Sequence, residues 1–554
     1  MQDTMATTFK GTVQPVPFGV SASYPPRSGN FVRPLVDGIP AFTRIGAAIR
    51  DAKARVWIGV SFIDYQSFVF PGFEASGKND GHFWTLLRRV AERGVDVRLL
   101  FWSNTRFFKN SHFPSASESH EWLKQLHRGE EEQRLDCGIL IRWDQSNDAP
   151  HCHHEKSFLI DAGQETEVAF VGGIGMGSGG MVTPEHPPCR PGDQNDHHNH
   201  DTFFELQGPS GTDVHHHFVQ RWNGALDHHL AGGHWPSLER ANSLPFPSKL
   251  TPPSEQGNAT VQVQRSVRPQ SRGGYTDSTP TVLPPDYPGL PTLDIREGEQ
   301  SIYEQYKLGV PLINHIAHSA FGAAKRTIYI ENQHVAHPLL LDLLIQALKR
   351  GHGPHRRFYP TSRILLNISC SVAVVYMAPA LVMRAVSAEY EAYTRWTEAV
   401  KRGDTTVPRP RYADVWVRLA ELATLENFVL AGLSVANPDR PHGYQIEYVH
   451  SKVAIVDGEW FTGGSANLVD LSMEKDHTEL NISVWDKPAA RRFLADLVHE
   501  HSGVDTGGMT DVEMVATLQR VAKANGQALR ARKPLTGHAF ALDPLTYGSQ
   551  LKNY

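Results

Sequence analysis

Apolar residues first recur at helical spacing at Phe42, Ile45, Ala48, Ile49 and Ala52, which predicts an amphipathic helix. The run 56–62, rich in β-branched and aromatic side chains, predicts a buried strand behind it. A second helix is expected at Phe83, Leu86, Leu87, Val90 and Ala91, closed by Gly94 and followed by a strand over 95–102. The same order returns later. A helix carrying Val310, Ile313, Ile316 and Ala317 leads to a strand at 327–330, then a helix through Leu340, Leu343, Leu344, Ala347 and Leu348, stopped by Gly351, and a strand at 364–368. Internal repetition of this kind predicts an α/β protein of two similar lobes.

The pattern lapses over 241–299, where Pro, Ser and Thr crowd the chain, so a crossover without a packed element is expected there. Residues 1–240 and 300–554 are then the two lobes. The segment 377–426 has helical periodicity and no counterpart in the first half, which suits an insertion able to cover a site. The uncharged run 364–383 is long enough to span a bilayer, but Asn367, Ser369, Ser371 and Pro379 interrupt it, and it is read as soluble structure.

Composition narrows the function class. With 54 Lys and Arg against 59 Asp and Glu, a net charge of -5, and 40% hydrophobic against 20% charged residues, the 554-residue chain is neither disordered nor a strongly basic nucleic-acid binder. Its four cysteines, Cys137, Cys152, Cys189 and Cys370, are too scattered for a disulfide framework or a paired-cysteine zinc site. The first thirty residues lack the basic cap and apolar core of a Sec signal, which fits a cytoplasmic protein or an effector exported by a non-Sec route. Histidine is abundant, at 29 residues. Asp193, Asp196, His197, His198 and His200, with His215, His216 and His217 beyond them, offer metal-type donors, but their spacing is diagnostic of none, and a solvated loop with only His200 and Asp201 near the site is expected.

The repetition reaches polar residues. The first half reads His154, Lys156 and Asp161, then Gly172 and Gly173; the second reads His450, Lys452 and Asp457, then Gly463, Gly464, Ser465, Ala466 and Asn467. Both fit H-x-K-x4-D followed by paired glycines, 296 positions apart. On a strand, residues two apart share a face, so each His–Lys pair would meet a common site, and the glycines would let backbone approach a ligand. The aspartates lie at odd spacing from the histidines and are read as structural.

This duplicated motif resembles the phospholipase D superfamily, and its nearest likeness is the eukaryotic-type branch. Residues 328–333, with Glu331, Asn332 and Gln333, resemble that branch's IYIENQ block, and His200–Asp201 with the later Arg221–Trp222–Asn223 resembles its HD and RWN segments. Gly464, Ser465 and Asn467, followed by Glu479, resemble the tail of its second motif. Gly175 departs from the pattern, standing where first motifs carry Asn or Asp.

The resemblance implies two α/β lobes, each with a mixed sheet, related by a pseudo-two-fold axis around one active site. It implies that His154 attacks phosphorus to form a phosphohistidine, and that His450 protonates the leaving oxygen and later activates water. Lys156, Lys452 and Asn467 would neutralise the non-bridging oxygens, so neither metal nor other cofactor is expected. Asp201 and Glu479 would orient the histidines, while Gly173, Gly464, Ser465, Glu331, Asn332 and Gln333 would line the substrate site. The implied activity is hydrolysis of glycerophospholipids at a membrane surface to phosphatidic acid and a head-group alcohol, with possible transfer to another alcohol. A phosphodiesterase or nuclease of the same superfamily, and an inactive lipid-binding protein, are the alternatives. The acidic balance argues against nucleic acid as partner, and the intact second motif argues against inactivity.

Overall fold

The computed structural model describes residues 24–61, 63–64, 67–73, 80–102, 139–144, 151–191, 197–225, 244, 254–267, 299–300, 311–312, 315–316, 324–349, 372–380, 384–410, 412–440, 443–473 and 477–545. In the first half, strands β1 (Arg27–Val36), β2 (Arg55–Val60), β3 (Asp96–Trp102), β4 (Ile139–Asp144), β5 (Lys156–Ile160), β6 (Val168–Gly172) and β8 (Thr202–Gln207) form one sheet. Its order is β1-β8-β6-β5-β2-β3-β4, with β2-β3-β4 parallel and the other pairs antiparallel. A two-residue strand β7 (Asn199–His200) precedes β8.

The second half repeats that order. It uses β9 (Ala259–Val267), β13 (Thr327–Glu331), β14 (Ala373–Met377), β15 (Phe428–Ala436), β17 (Val453–Val456), β18 (Trp460–Gly464) and β19 (Glu479–Trp485). They run β9-β19-β18-β17-β13-β14-β15, and again only β13-β14-β15 pair in parallel. The sheets meet where β1 pairs with β9. Further strands are β10 (Glu299–Gln300) on β9, the pair β11 (Pro311–Leu312) and β12 (His315–Ile316), and β16 (Tyr444–Val449) and β20 (Ala539–Leu542), both on β15.

Two of the expected elements are corrected, and a third lies outside the described residues. The crossover contains β9, a strand paired on both sides: Val261 and Val263 are fully buried, and the Pro-rich sequence around it hides the alternation. The strand beside β13 is β14, at 373–377, whereas 364–368 lies outside the described residues. The described positions of the helix expected near 310–317 pair as β11 and β12, where Pro311 has no N–H to give a helix.

Helices Gly38–Asp51 and Phe83–Glu92 bury Phe42, Ile45, Leu86 and Leu87 against the first sheet, as their periodicity predicts. Helices Pro338–Lys349 and Ala413–Leu422 do the same beside the second. The helices Arg384–Lys401 and Ala413–Leu422 confirm the helical reading of 377–426, and Tyr393 stacks on Trp416 as a packing residue. A central core joins the halves: Phe204 of β8 stacks on Phe461 of β18 at 5.8 Å, and both meet Phe493 of helix Lys487–Ser502. Burying one such ring contributes about 2–3 kcal/mol. Gly463 is required there, because a Cβ would lie 2.2 Å from the Phe204 ring.

Candidate active site

The motif aspartates build the frame. Asp161 follows β5 with φ 53° and accepts the backbone N–H groups of Lys53, Ala54 and Arg55; Asp457 follows β17 with φ 54° and accepts those of Lys325, Arg326 and Thr327. Each one ties its motif strand to the start of the neighbouring strand, β2 or β13, and points away from the histidines, in line with the structural reading.

The histidines stand just before these strands, not within them. Lys156 is the first residue of β5, and Lys452 immediately precedes β17. What holds each histidine comes from the other half. The His154 backbone N–H donates to Thr478 O at 2.9 Å, and its Nδ1 lies 3.1 Å from Glu479 Oε2 and 3.1 Å from Ser465 O. The His450 backbone N–H donates to His200 O at 2.8 Å, and its Nδ1 lies 2.6 Å from Asp201 Oδ2. All these side-chain partners are acceptors, so Nδ1 carries the proton on both rings and Nε2 is left with a lone pair. Ser465 and Ser472 donate to the two oxygens of Glu479, each at 2.6 Å.

Charge in the site follows from burial. Burial first, and then Lys156 and Lys452, hold the His154 imidazole well below its ordinary range. Burial and Lys452 bring His450 to about 4 against the pull of Asp201. Burial brings Lys452 down to about 7, and lowers Lys156 as well. Both imidazoles are therefore neutral at pH 7, beside two partly desolvated amines. Each lysine also donates to the backbone carbonyl of its own histidine.

The remaining expected residues divide. Asn467 Oδ1 is buried without a hydrogen-bond partner among the described residues. The register sets Gly172 opposite Lys156 and Gly463 opposite Val453, so Gly175 is the counterpart of Asn467; nothing lies within 4 Å of a Cβ there, and only the second half supplies an amide. Gln333 reaches the site, accepting from Lys452 Nζ at 3.3 Å and donating to Tyr448 at 3.0 Å. Asn332 instead accepts from the backbone of His334 and Leu468, and Glu331 turns into a buried histidine cluster. At Gly173 and Gly464 protein fills the space a side chain would take: a Cβ would lie 2.5 Å from Asp201 Oδ1 at the first and 2.2 Å from Leu480 O at the second.

Two further histidines adjoin the site. His477 lies 6.1 Å from the His154 ring and accepts from Cys152 N, while burial and the nearby Lys452 and His450 bring His334 down to about 3. Their motif-adjacent positions were the signal available in the sequence. Cys152 packs as expected, its thiol pushed up by burial. The expectation of a solvated histidine loop is corrected in part: Asp193 and Asp196 lie outside the described residues, but His215, His216 and His217 are buried on helix Gly211–Gly224, against Glu167, Tyr24 and Glu155. Arg221 of that helix bonds Asp144 and Glu155 beneath the first motif.

Comparison with known proteins agrees with this geometry. Residues 390–500 match the family "Cardiolipin synthase, PLD-like domain". The chain is 25% identical to phospholipase D beta 2 of Arabidopsis thaliana over 70% of its length and 47% of the relative's, and 24% identical to phospholipase D A of Dictyostelium discoideum over 84% and 34%. It thus spans less than half the length of these curated relatives. In fold it is similar to phosphatidylserine synthase of Haemophilus influenzae Rd KW20, with a TM-score of 0.51, 12% identity, and 96% and 92% of the two chains covered. Among the described residues no helix is long and apolar enough to cross a membrane. The matched PLD-like domain and the likeness to curated phospholipases D agree with the resemblance to the phospholipase D superfamily that the duplicated motif carries, and the structural neighbour shares the fold.

Proposed function

We propose that the protein is a phospholipase D, cleaving the distal phosphodiester of glycerophospholipids to phosphatidic acid and a head-group alcohol through a phosphohistidine on His154. The observation that carries this reading is the crossed pairing of His154 with Glu479 and His450 with Asp201, which leaves two Nε2 lone pairs beside two lysines. Neutral His154 attacks phosphorus; His450, protonated on Nε2 in the substrate complex, gives that proton to the departing alkoxide and, now neutral, takes one from the water that resolves the intermediate. Lys156, Lys452 and Asn467 stabilise the non-bridging oxygens. Another alcohol can replace water in the second step, giving transfer. The phospholipid is proposed from the similarity to curated phospholipases D. Product analysis by mass spectrometry on mixed phospholipid vesicles, with and without ethanol, is the test. Phosphatidic acid, replaced in part by phosphatidylethanol, is expected; cleavage of plasmid DNA without lipid turnover would overturn the assignment in favour of a nuclease.

The site also sets a pH profile. A p-nitrophenyl leaving group needs no proton, so kcat/KM on such a phosphodiester reads the lysine charge. Lys452 is protonated below about pH 7, and kcat/KM should fall as pH rises through that value. Lys452→Arg, which stays charged, should remove this limb. On a lipid the fall should begin at lower pH, because the alkoxide takes a proton that His450 holds in the empty site only below about 4. Coincident profiles for the two substrates would contradict the role given to His450.

A further inference from the structure

Behind the active site lies a second cluster of donors. Asp37, at the N-terminus of helix Gly38–Asp51, meets His186, His200 and, from helix Lys487–Ser502, Glu500; one donor atom from each lies within 4.8 Å of all the others. Asp37, His186 and His200 are buried to within 2%. His186 Nε2 is 3.0 Å from Glu500 Oε1 and 3.3 Å from Asp37 Oδ2, and His200 Nδ1 is 3.1 Å from Asp37 Oδ1 and 3.2 Å from Glu500 Oε1. Donor atoms sharing one ion through bonds of about 2.1 Å stand roughly this far apart.

Two independent observations point to a ligand. Asp37 Oδ2 and His200 Nδ1 are buried and aimed into the cluster, yet neither has a hydrogen-bond partner among the described residues, since close approach is not matched by N–H direction. His200 meanwhile gives its Nε2 hydrogen to Glu331 Oε2 at 3.2 Å, and Glu331 is held in turn by Tyr329 and His501. Without an ion, and against burial, the carboxylates facing Nδ1 favour a proton there and hold the ring well above its ordinary range; a cation taking that proton's place would find Nδ1 set by the Glu331 contact in the carboxylate–histidine arrangement that orients metal ligands. Charge agrees: among the described residues, the ion-pair partners of Asp37, Glu331 and Glu500 are all histidines, with no lysine or arginine.

We propose that Asp37, His186, His200 and Glu500 bind a divalent cation of the zinc class, in a structural site distinct from the reacting histidines. Two imidazoles and two carboxylates suit a borderline ion better than magnesium or calcium. The ion would pin helix Lys487–Ser502 to the turn at His200–Asp201. That turn supplies Asp201 to His450, and the His200 carbonyl to the backbone N–H groups of His450 and Ser451. This departs from the expectation that no metal is needed only in placing one away from phosphorus.

The test uses the full chain, purified without metal-affinity resin and dialysed in metal-free buffer. Elemental analysis should find about one zinc-class ion per chain. Stripping with dipicolinate should lower Tm, and Zn2+ or Co2+, not Mg2+, should restore it, with cobalt giving the visible absorption of a low-coordinate nitrogen–oxygen site. His186→Gln should abolish that band while far-ultraviolet circular dichroism is kept. Should the variant fail to fold, wild-type stoichiometry and the cobalt spectrum still decide. Substoichiometric metal with a Tm unmoved by Zn2+, or an equal Zn2+ effect on folded His186→Gln, would overturn the proposal and leave protons on the imidazoles as the neutralising charge.

Discussion

His450→Ala should still release a burst of about one equivalent of p-nitrophenol from a p-nitrophenyl phosphodiester and then turn over slowly, whereas His154→Ala should give no burst with any substrate. The asymmetry follows from what each step asks of a proton. The p-nitrophenolate leaves unprotonated, so His154 Nε2 can form the phosphoenzyme without help from the second half. Water then attacks unaided, and the intermediate persists. The His154 ring keeps its orientation in the first variant, since Glu479 and Ser465 hold its Nδ1 independently of His450. Rapid-quench kinetics reads both cases. A burst that survives loss of His154 and disappears with His450 would reverse the two roles while leaving the site itself in place.

The second large effect is expected at the crossed carboxylates. Asp201→Asn replaces an acceptor at 2.6 Å from His450 Nδ1 with a group that can donate, favouring the tautomer whose proton sits on Nε2. A ring in that form cannot take the proton of the attacking water. In a comparable carboxylate–histidine pair such a change costs roughly 10⁴ in kcat. Here the loss should fall on dephosphorylation: steady-state kcat collapses while the burst on p-nitrophenyl substrate remains. Glu479→Gln should do the opposite and suppress the burst, because the orphaned ring is the nucleophile. A Tm for each variant separates this from unfolding, as Glu479 also anchors Ser465 and Ser472. Equal loss of burst in both variants would argue that the carboxylates only support the fold.

How much of this was legible in the sequence depends on range. His154, Lys156, His450 and Lys452 announce themselves because each motif is contiguous and occurs twice. Asp201 and Glu479 could be placed because each stands next to or at the start of an equivalent strand, β8 or β19. By contrast β9 went unseen, since its pairing with β1 and β19 joins residues more than two hundred positions apart, and Pro-rich flanks mask its alternation. Glu331 was expected at the substrate through its place in the block that resembles IYIENQ; it is the last residue of β13 and its side chain meets His200 and His501 instead, while Gln333, beyond the end of the strand, reaches Lys452. The cluster of Asp37, His186, His200 and Glu500 is assembled from four separate segments, and no local spacing signals it.

The most direct measurement is the site of the covalent intermediate. His450→Ala, mixed briefly with a p-nitrophenyl phosphodiester, quenched and digested under alkaline conditions that preserve phosphoramidates, should carry the phosphoryl adduct on the peptide containing His154, and the double variant His154→Ala/His450→Ala should carry none. An adduct mapped to another residue, or turnover of phospholipid by wild-type protein with no trappable adduct in the variant, would contradict a phosphohistidine at the first motif.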